Sequence, residues 1–298
     1  MKKITPGVCL FLLLFIQTNA CEICGCGLGN YYIGILPRFN QRFIGLRYQF
    51  NSFHTRLNND PSQFSRDFYQ TVELWSGWNI GKKWQVLTFV PYNFNHQVSD
   101  EGVSNLNGIG DIAVLANYSI FDINSKNISQ QLKIGGGVKL PTGKFDVDQT
   151  DPDVAAIANT QIGSGSVDFM LVGMYSLRMN RIGIVSTASY KINSSNKDDY
   201  KFGNKFSANS FVYYSTRISS VSVSPNLGLL YEHADAAQLQ KNQIDLTRGS
   251  SLMGSAGAEF NFNKIAVGFN AQLPIAQNYA EKQTKEKVKG MLHVSFAF

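Results

Sequence analysis

Long apolar runs and charged residues are both scarce in this chain of 298 residues. Beyond residue 20, no apolar stretch approaches the ~20 residues that a transmembrane helix needs, which excludes a helical membrane protein. Charged residues make up only 16% of the chain, whereas aromatic residues make up 12%. This balance suits a β-barrel whose outer surface faces lipid. Helical periodicity is nearly absent, which argues against a helical fold of any kind.

Basic stripes and nucleic-acid motifs are also missing, although the formal net charge is +6. The lysines cluster mainly in residues 197–205 and 282–289, which we interpret as solvated loops. We therefore expect no nucleic-acid partner.

Cysteine is absent from residue 27 onward, so no disulfide can staple the main body of the chain. Cys21, Cys24 and Cys26 instead form a Cys-x-x-Cys-x-Cys cluster, which offers three soft ligands to Cu(I) or Zn(II). Zn(II) usually takes four ligands, and no fourth is evident. A local disulfide with one free thiol is an alternative use, and lipid attachment at Cys21 is another. Thr18 stands where lipoprotein signals prefer Leu, Ile or Val.

The first residues have the pattern of a secretory signal peptide. Lys2 and Lys3 precede an apolar run over residues 8–16, and a polar stretch then ends at Ala20 in a small-x-small site. We expect cleavage after Ala20, and the loss of two lysines lowers the net charge from +6 to +4. An uncleaved anchor is the alternative, for which the apolar run is short.

Apolar residues alternate with polar or small residues through most of the remaining chain, as in the series Ile44, Leu46, Tyr48 and Phe50. Such a period of two predicts strands with one apolar face. We predict about 12 strands, over residues 41–54, 67–80, 84–97, 108–122, 129–141, 165–178, 182–194, 203–217, 220–232, 250–262, 265–274 and 289–298. A soluble sandwich would turn the apolar face inward, and a membrane barrel turns it outward.

The connections between these strands alternate between long and short. The long ones centre on Asn59, Gly102, Asp151, Asn196, Gln240 and Lys282. Outer-membrane barrels have short periplasmic turns and long outer loops. The pattern therefore favours an all-β fold, an up-and-down antiparallel transmembrane β-barrel with both chain ends on the periplasmic side.

The last predicted strand ends on an aromatic residue. Leu292, Val294, Phe296 and Phe298 fall on one face of it. A C-terminal strand of this kind resembles the one that outer-membrane barrels present to their assembly machinery, so we expect Phe296 and Phe298 to act as the assembly signal.

Aromatic residues also stand near the ends of other strands. Trp78 and Trp84 flank the turn at Gly81, as in the interfacial girdles of membrane barrels. The ordinary strand propensity of tryptophan and tyrosine explains such positions equally well.

Four segments of the chain resemble a family of outer-membrane transporters labelled for the MetA pathway of phenol degradation. They are residues 87–92 (LTFVPY), 108–118 (GIGDIAVLANY), 135–143 (GGGVKLPTG) and 163–168 (GSGSVD). The resemblance implies a β-barrel in the bacterial outer membrane and a role in transport.

Three segments therefore organise the chain. Residues 1–20 are the signal peptide, residues 21–40 are a periplasmic segment with the cysteine cluster, and residues 41–298 are the barrel. Residues 31–39 form an extra strand, a plug in the barrel or a periplasmic arm, and the sequence leaves these three open.

If the apolar faces contact lipid, a set of charged residues must point into the barrel: Arg47, Glu73, Asp111, Lys133, Lys139, Asp168, Lys191, Glu232 and Glu259. Asp111 and Asp168 begin descending strands and Lys139 ends a rising one, so these three are expected to form a constriction near the outer mouth. Charges inside proteins usually pair, and mutual pairing without solute recognition is the alternative role.

The function predicted from these features is passive passage of a small solute through an outer-membrane barrel. The alternative is a narrow or plugged barrel that serves periplasmic proteins as a metal-handling or structural partner through its cysteines. A third hypothesis is that the chain is a soluble β-sandwich that acts as an enzyme or a binding module. We expect no enzymatic activity, because no nucleophile elbow is present. His54, His96, His233 and His293 are then rim or lumen residues.

Overall fold

The structure is a computed structural model that describes residues 42–58, 62–148, 150 and 154–298. The predicted signal peptide, the periplasmic segment and the cysteine cluster of Cys21, Cys24 and Cys26 lie outside the described residues. The alternatives for residues 31–39 lie outside them as well.

The described residues are almost entirely β-structure. The strands are β1 (Phe43–Arg56), β2 (Phe64–Ile80), β3 (Trp84–Ser99), β4 (Gly102–Ile109), β5 (Ala113–Asn124), β6 (Ile128–Lys139), β7 (Asp168–Met179), β8 (Ile182–Ile192), β9 (Tyr200–Lys201), β10 (Lys205–Tyr214), β11 (Thr216–Ile218), β12 (Val221–Ala234), β13 (Gln238–Leu239), β14 (Asn242–Gln243), β15 (Gly249–Phe262), β16 (Ile265–Tyr279) and β17 (Thr284–Ala297). Helix α1 (Val154–Thr160) lies between β6 and β7, and a 3-10 turn (Ala280–Lys282) joins β16 to β17. No helix among the described residues has the length and apolarity needed to cross a membrane.

The strands close into a 12-stranded antiparallel barrel, as the alternating pattern predicts. Neighbouring strands follow the order β10-β8-β7-β6-β5-β3-β2-β1-β17-β16-β15-β12, and β12 pairs back to β10. The first and last strands pair along their length, from Phe43 opposite Ala297 to Thr55 opposite Thr284. Closure of the barrel leaves no unpaired sheet edge. Lipid requires this, because it contains no water to which unpaired backbone groups could bond.

Two of the predicted long connections are wrong. The gap around Gly102 is a two-residue turn at Asp100 and Glu101, because β3 continues upward and pairs with β4 from Tyr92 to Ser99. The gap around Lys282 is likewise the short 3-10 turn between β16 and β17. In both places the alternation of apolar and polar residues ends before the strand does, because the strand ends extend beyond the lipid. The backbone pairing between the strands continues there.

The apolar faces point outward, and the soluble-sandwich alternative is therefore wrong. Leu227, in the middle of β12, is 68% exposed, whereas Glu259, on the neighbouring strand β15, is fully buried. A sandwich would show the reverse, with apolar residues packed between two sheets. The outward series Ile44, Leu46 and Tyr48 on β1 is exposed in the same way.

Aromatic side chains ring the barrel at two levels. At the periplasmic end, Trp78 packs against Phe298 with ring centroids 5.5 Å apart, and Trp84 packs against Tyr118 at 5.0 Å. On β10, Tyr214 lies at this end and Phe206 lies at the upper level, eight residues away. For a strand tilted ~40°, the vertical distance between these two aromatic residues is roughly 20 Å. That height approaches the ~25 Å apolar band of such barrels.

Part of the barrel interior is packed with apolar side chains. One cluster lies on β1, β2, β3, β5 and β7 and consists of Phe43, Trp75, Leu87, Phe89, Ala113, Leu115, Met170 and Val172. Two glycines make room for its largest rings. A Cβ at Gly45 would lie 2.7 Å from Trp75 Nε1, and one at Gly77 would lie 2.3 Å from a ring carbon of Phe43. The interior therefore narrows on this side.

Candidate functional site

The barrel interior holds every charged residue that the sequence placed there. Each of the nine is buried, with at most 6% of the residue exposed: Arg47, Glu73, Asp111, Lys133, Lys139, Asp168, Lys191, Glu232 and Glu259. Burial of so many charges is costly unless each is paired or hydrogen-bonded. The structure brings most of them together in three ion-paired networks.

The first network, the mouth network, lies at the outer end of the bore and consists of Asp111, Lys139, Asp168 and Lys191. Lys139 Nζ lies 2.6 Å from Asp111 Oδ2 and 2.7 Å from Asp168 Oδ2. Lys191 Nζ approaches the same oxygen of Asp168 at 3.4 Å. The three residues predicted to form a constriction therefore meet, and they pair with one another.

The mouth network also anchors the long loop of residues 140–167. The backbone N–H groups of Gly143 and Ser164 each donate to an Asp111 carboxylate oxygen at 2.9 Å. Ser166 Oγ donates to Asp168 Oδ1 at 2.8 Å. Both ends of this loop are thereby fixed to the carboxylates of the mouth network.

Sequence reasoning missed the anchoring role of Ser164 and Ser166. Two of the segments that carry the family resemblance, residues 135–143 and 163–168, contain the two ends of this loop. They meet so closely that a Cβ at Gly163 would lie 2.5 Å from the Gly143 carbonyl oxygen. The glycines of both segments were the available signal for this contact.

The same loop also contacts β3, which lies two strands along the barrel wall from β6, through amide side chains of that strand. Asn93 Nδ2 donates to the Ile162 carbonyl at 3.1 Å. Asn95 Nδ2 donates to the Thr160 carbonyl at 2.7 Å. The loop therefore lies along one side of the bore, over the part of the wall from β7 to β3.

Three outer loops, of which the loop of residues 140–167 is one, pack together through an apolar cluster. Its buried members are Phe145, Val154, Ala158, Tyr200 and Ala237. The short strands β9, β13 and β14 form a small sheet in the same region. The outer loops on this side of the barrel therefore have a small core of their own.

The second network lies deeper in the bore and crosses five strands. Arg47 on β1 pairs with Glu73 on β2, and His293 Nε2 on β17 lies 2.8 Å from Glu259 Oε1 on β15. Arg47 stands directly opposite both His293 and Glu73 in the sheet register. The Arg47 guanidinium also lies 5.3 Å from the Trp75 ring centroid, within cation–π range.

The third network corrects the interpretation of the lysine-rich stretches as solvated loops. Lys205 Nζ and Lys289 Nζ point into the bore and lie 2.9 Å and 2.8 Å from the Glu232 carboxylate. Lys205 is the first residue of β10, within the strand predicted over residues 203–217, and β17 begins at Thr284, earlier than its predicted start at residue 289, so both lysines lie on strands of the barrel. Glu232, one of the nine predicted residues, therefore has two cationic partners.

Metal binding has no support in the part of the chain that the structure describes. Within residues 42–58, 62–148, 150 and 154–298, no group of histidine, cysteine, aspartate and glutamate is arranged to hold a metal ion. The proposed ligands Cys21, Cys24 and Cys26 lie outside these residues.

Comparison with known proteins supports the same architecture. The model of the family described as "Putative MetA-pathway of phenol degradation" matches residues 51–282. An outer-membrane channel from Pseudomonas putida F1 is similar in structure, with a TM-score of 0.64 at 16% identity, covering 91% of this chain and 98% of that one. The β domain of the Bordetella autotransporter BrkA gives a TM-score of 0.50 at 10% identity, covering 87% of this chain and 100% of that one.

At these identities the likeness concerns the fold. No curated protein matches the chain by sequence. A closed 12-stranded barrel with an apolar outer surface, in a fold shared with outer-membrane proteins, belongs in the bacterial outer membrane.

Proposed function

The chain belongs to the family whose model it matches over residues 51–282, and on that premise we propose that it is an outer-membrane channel, rather than an enzyme, through which a small solute passes by diffusion. A channel needs an enclosed bore with a wall that tolerates polar solutes. The observation that carries the proposal is the set of buried, mutually paired charges inside a closed barrel with an apolar exterior.

The paired charges support a bore without strong preference for either ion sign. Each acidic group in the mouth network has a lysine within 3.4 Å, and Glu232 has two. Because the charges of such pairs neutralise each other, they leave little net electric field along the bore. We infer an uncharged solute as the main cargo.

The apolar part of the interior supports a solute with an apolar face. Trp75 and Phe89 are buried inside the barrel, and both rings lie beside the Arg47 guanidinium at 5.3 Å and 5.6 Å. The family description names phenol degradation, and a phenol-sized ring with one hydroxyl group would suit such a wall. Small phenolic compounds are therefore the first solutes to test.

Selectivity at the mouth is tested by the double variant Asp111→Asn with Asp168→Asn. Neutralising both acids leaves Lys139 and Lys191 without their carboxylate partners, so anion preference should rise and the loop of residues 140–167 should loosen. Single-channel recording in planar bilayers across a salt gradient measures both conductance and ion preference. We expect a higher conductance and a shift of the reversal potential toward anions.

Asp146→Asn is the control for this experiment, because Asp146 lies in the same loop but is exposed, as is its partner Lys144. Its conductance should equal that of the unmodified protein. If the double variant also conducts with unchanged ion preference, Asp111 and Asp168 have no part in selectivity. If the unmodified protein conducts no ions, the channel proposal itself fails.

The C-terminal strand is proposed to carry the assembly signal through Phe296 and Phe298. In the folded barrel, the Phe298 N–H donates to the Arg42 carbonyl at 3.0 Å, so the last residue still contributes to closure. Phe298→Ala should lower the fraction of protein that reaches the folded, heat-modifiable form in outer-membrane extracts. Phe262→Ala is the control, since Phe262 is exposed to a similar degree at a neighbouring periplasmic turn. An equal loss in both variants would indicate a general packing effect.

A further inference from the structure

A cationic pocket of about 300 Å³ lies at the outer rim of the barrel, beside the ends of β10, β12 and β15. Lys201, His233 and Arg248 line it together with one acid, Asp235. His233 Nε2 lies 3.4 Å from Asp235 Oδ1, and both side chains are about half exposed. The basic groups therefore outnumber the acid, and the pocket favours an anion.

His233 and Arg248 place this pocket on the outside of the barrel wall. On β12, Glu232 points into the bore, so the next residue, His233, points outward, and it is exposed. Arg248 is exposed and precedes Gly249, whose position on β15 faces the interior. The pocket thus faces the surroundings of the barrel and does not open into the bore.

An apolar groove of about 520 Å³ lies on the same outer wall at membrane depth. Its floor consists of small residues on adjacent strands, among them Ala188 and Ala208, which stand opposite each other in the register. Tyr231, Leu229 and Leu252 are among the larger residues that line it. Ser186 and Ser210 also line the groove, and their hydroxyl groups bond to each other at 2.9 Å, so the floor has little unsatisfied polarity.

The pocket and the groove form one continuous strip along three strands. On β12, His233 lines the pocket, and Tyr231, the next outward residue, lines the groove. Arg248, the residue before β15, lines the pocket, and Leu252, on the same outward face of β15, lines the groove. Phe206 on β10 stands opposite His233 at the lower edge of the pocket, and its ring centroid lies 6.3 Å from that of Tyr231.

We propose that this strip is a binding site for a phosphate-bearing lipid of the outer leaflet, with the phosphate in the pocket and an acyl chain in the groove. Arginine and lysine are the residues that bind phosphate oxygens. The pocket extends from the level of the upper aromatic residue Phe206 to the loops above it, at headgroup height, and the groove stands below that level, at hydrocarbon depth. A soluble anion would use the upper pocket alone, and the groove on the same strands would then have no role in its binding.

The experiment uses the full-length protein in detergent and titrates it with diphosphoryl lipid A or with inorganic phosphate, with bound complexes counted by native mass spectrometry. The double variant Lys201→Gln with Arg248→Gln should weaken lipid A binding about tenfold or more, because each change removes a charge-assisted contact. A second double variant, Lys285→Gln with Lys287→Gln, is the control. It removes two exposed lysines of the outer end of β17 and should change binding less than about twofold.

Ala208→Leu tests the groove separately, because the larger side chain fills its floor without adding polarity. It should weaken lipid A binding severalfold and leave phosphate binding unchanged. Heat-modifiable migration on gels confirms that each variant is folded. The proposal is overturned if the two double variants lose lipid A equally. It is also overturned if Ala208→Leu has no effect and inorganic phosphate binds as tightly as the lipid, which would indicate a site for free anions.

Discussion

Lys139→Met is expected to open the outer mouth of the barrel and to lower its stability by about 3–5 kcal/mol, the cost of leaving buried charges without a partner. Lys139 is the central cation of the mouth network, within 2.7 Å of both Asp111 and Asp168, and it also bonds to Ser164. Methionine keeps much of the volume and removes the charge. The two aspartates would then repel each other, and their hold on the loop of residues 140–167 would weaken.

Two measurements check this result. The temperature at which heat-modifiable migration is lost reports stability, and single-channel recording reports the opening of the mouth as a higher or noisier conductance. Lys144→Met is the matched control, because Lys144 pairs with Asp146 at 3.1 Å while both side chains are at least 75% exposed. An exposed pair contributes at most about 1 kcal/mol. Equal effects of the two substitutions would show that the mouth network is not what fixes the loop.

Leu227→Arg is expected to impair insertion and folding, at a cost of about 2–4 kcal/mol for a charge at the bilayer midplane. Leu227 lies in the middle of β12 and is 68% exposed, so arginine has ample space there. In water such a substitution would be nearly neutral, since exposed positions tolerate charge. The penalty therefore arises from lipid alone, and urea titration in detergent or vesicles measures it.

Val103→Arg is the matched control for the lipid-facing position. Val103 is 63% exposed but lies near the tip of the hairpin of β3 and β4, beyond His96 and Asn105, which pair with each other across that hairpin. Arginine there should change the free energy of unfolding by less than about 0.5 kcal/mol. If Leu227→Arg were as harmless as Val103→Arg, the apolar face would not contact lipid, and the assignment of a membrane barrel would fall.

Much of the candidate site can be predicted from the sequence because strand geometry is local. Successive side chains of a strand point to opposite faces, so the alternation identifies Arg47, Glu73 and Glu259 as residues of one face. The large number of apolar residues on the other face then indicates which side meets lipid. This argument is sufficient to predict the nine inward-pointing charged residues and the number of strands, 12.

The pairing of those charges cannot be predicted in the same way. Glu259 and His293 are 34 residues apart in the chain, and a hydrogen bond joins them across the intervening strand β16. Such contacts depend on how each strand is shifted against its neighbours, and a shift of two residues would keep every face and change every partner. The sequence therefore places His293 in the lumen or at the rim without showing its contact with Glu259.

The course of the loop of residues 140–167 was likewise beyond prediction. Its glycines and serines have no periodic pattern, and its position depends on hydrogen bonds to Asp111, just before β5, and to Asn93 on β3. The inward turn of Lys205 and Lys289 was missed because polar residues at strand ends resemble loop residues. Pairing to neighbouring strands, which continues beyond the lipid, extends β17 back to Thr284, ahead of its predicted start at residue 289.

By itself, then, the sequence determined the barrel, its strand number and the membership of its two faces, because a period of two is imprinted in each strand separately. Only the tertiary structure decided which charges meet, how the outer loops pack and where a cationic pocket adjoins an apolar groove. Those features depend on contacts between strands distant in the chain, whose relative shift is fixed only when the barrel closes.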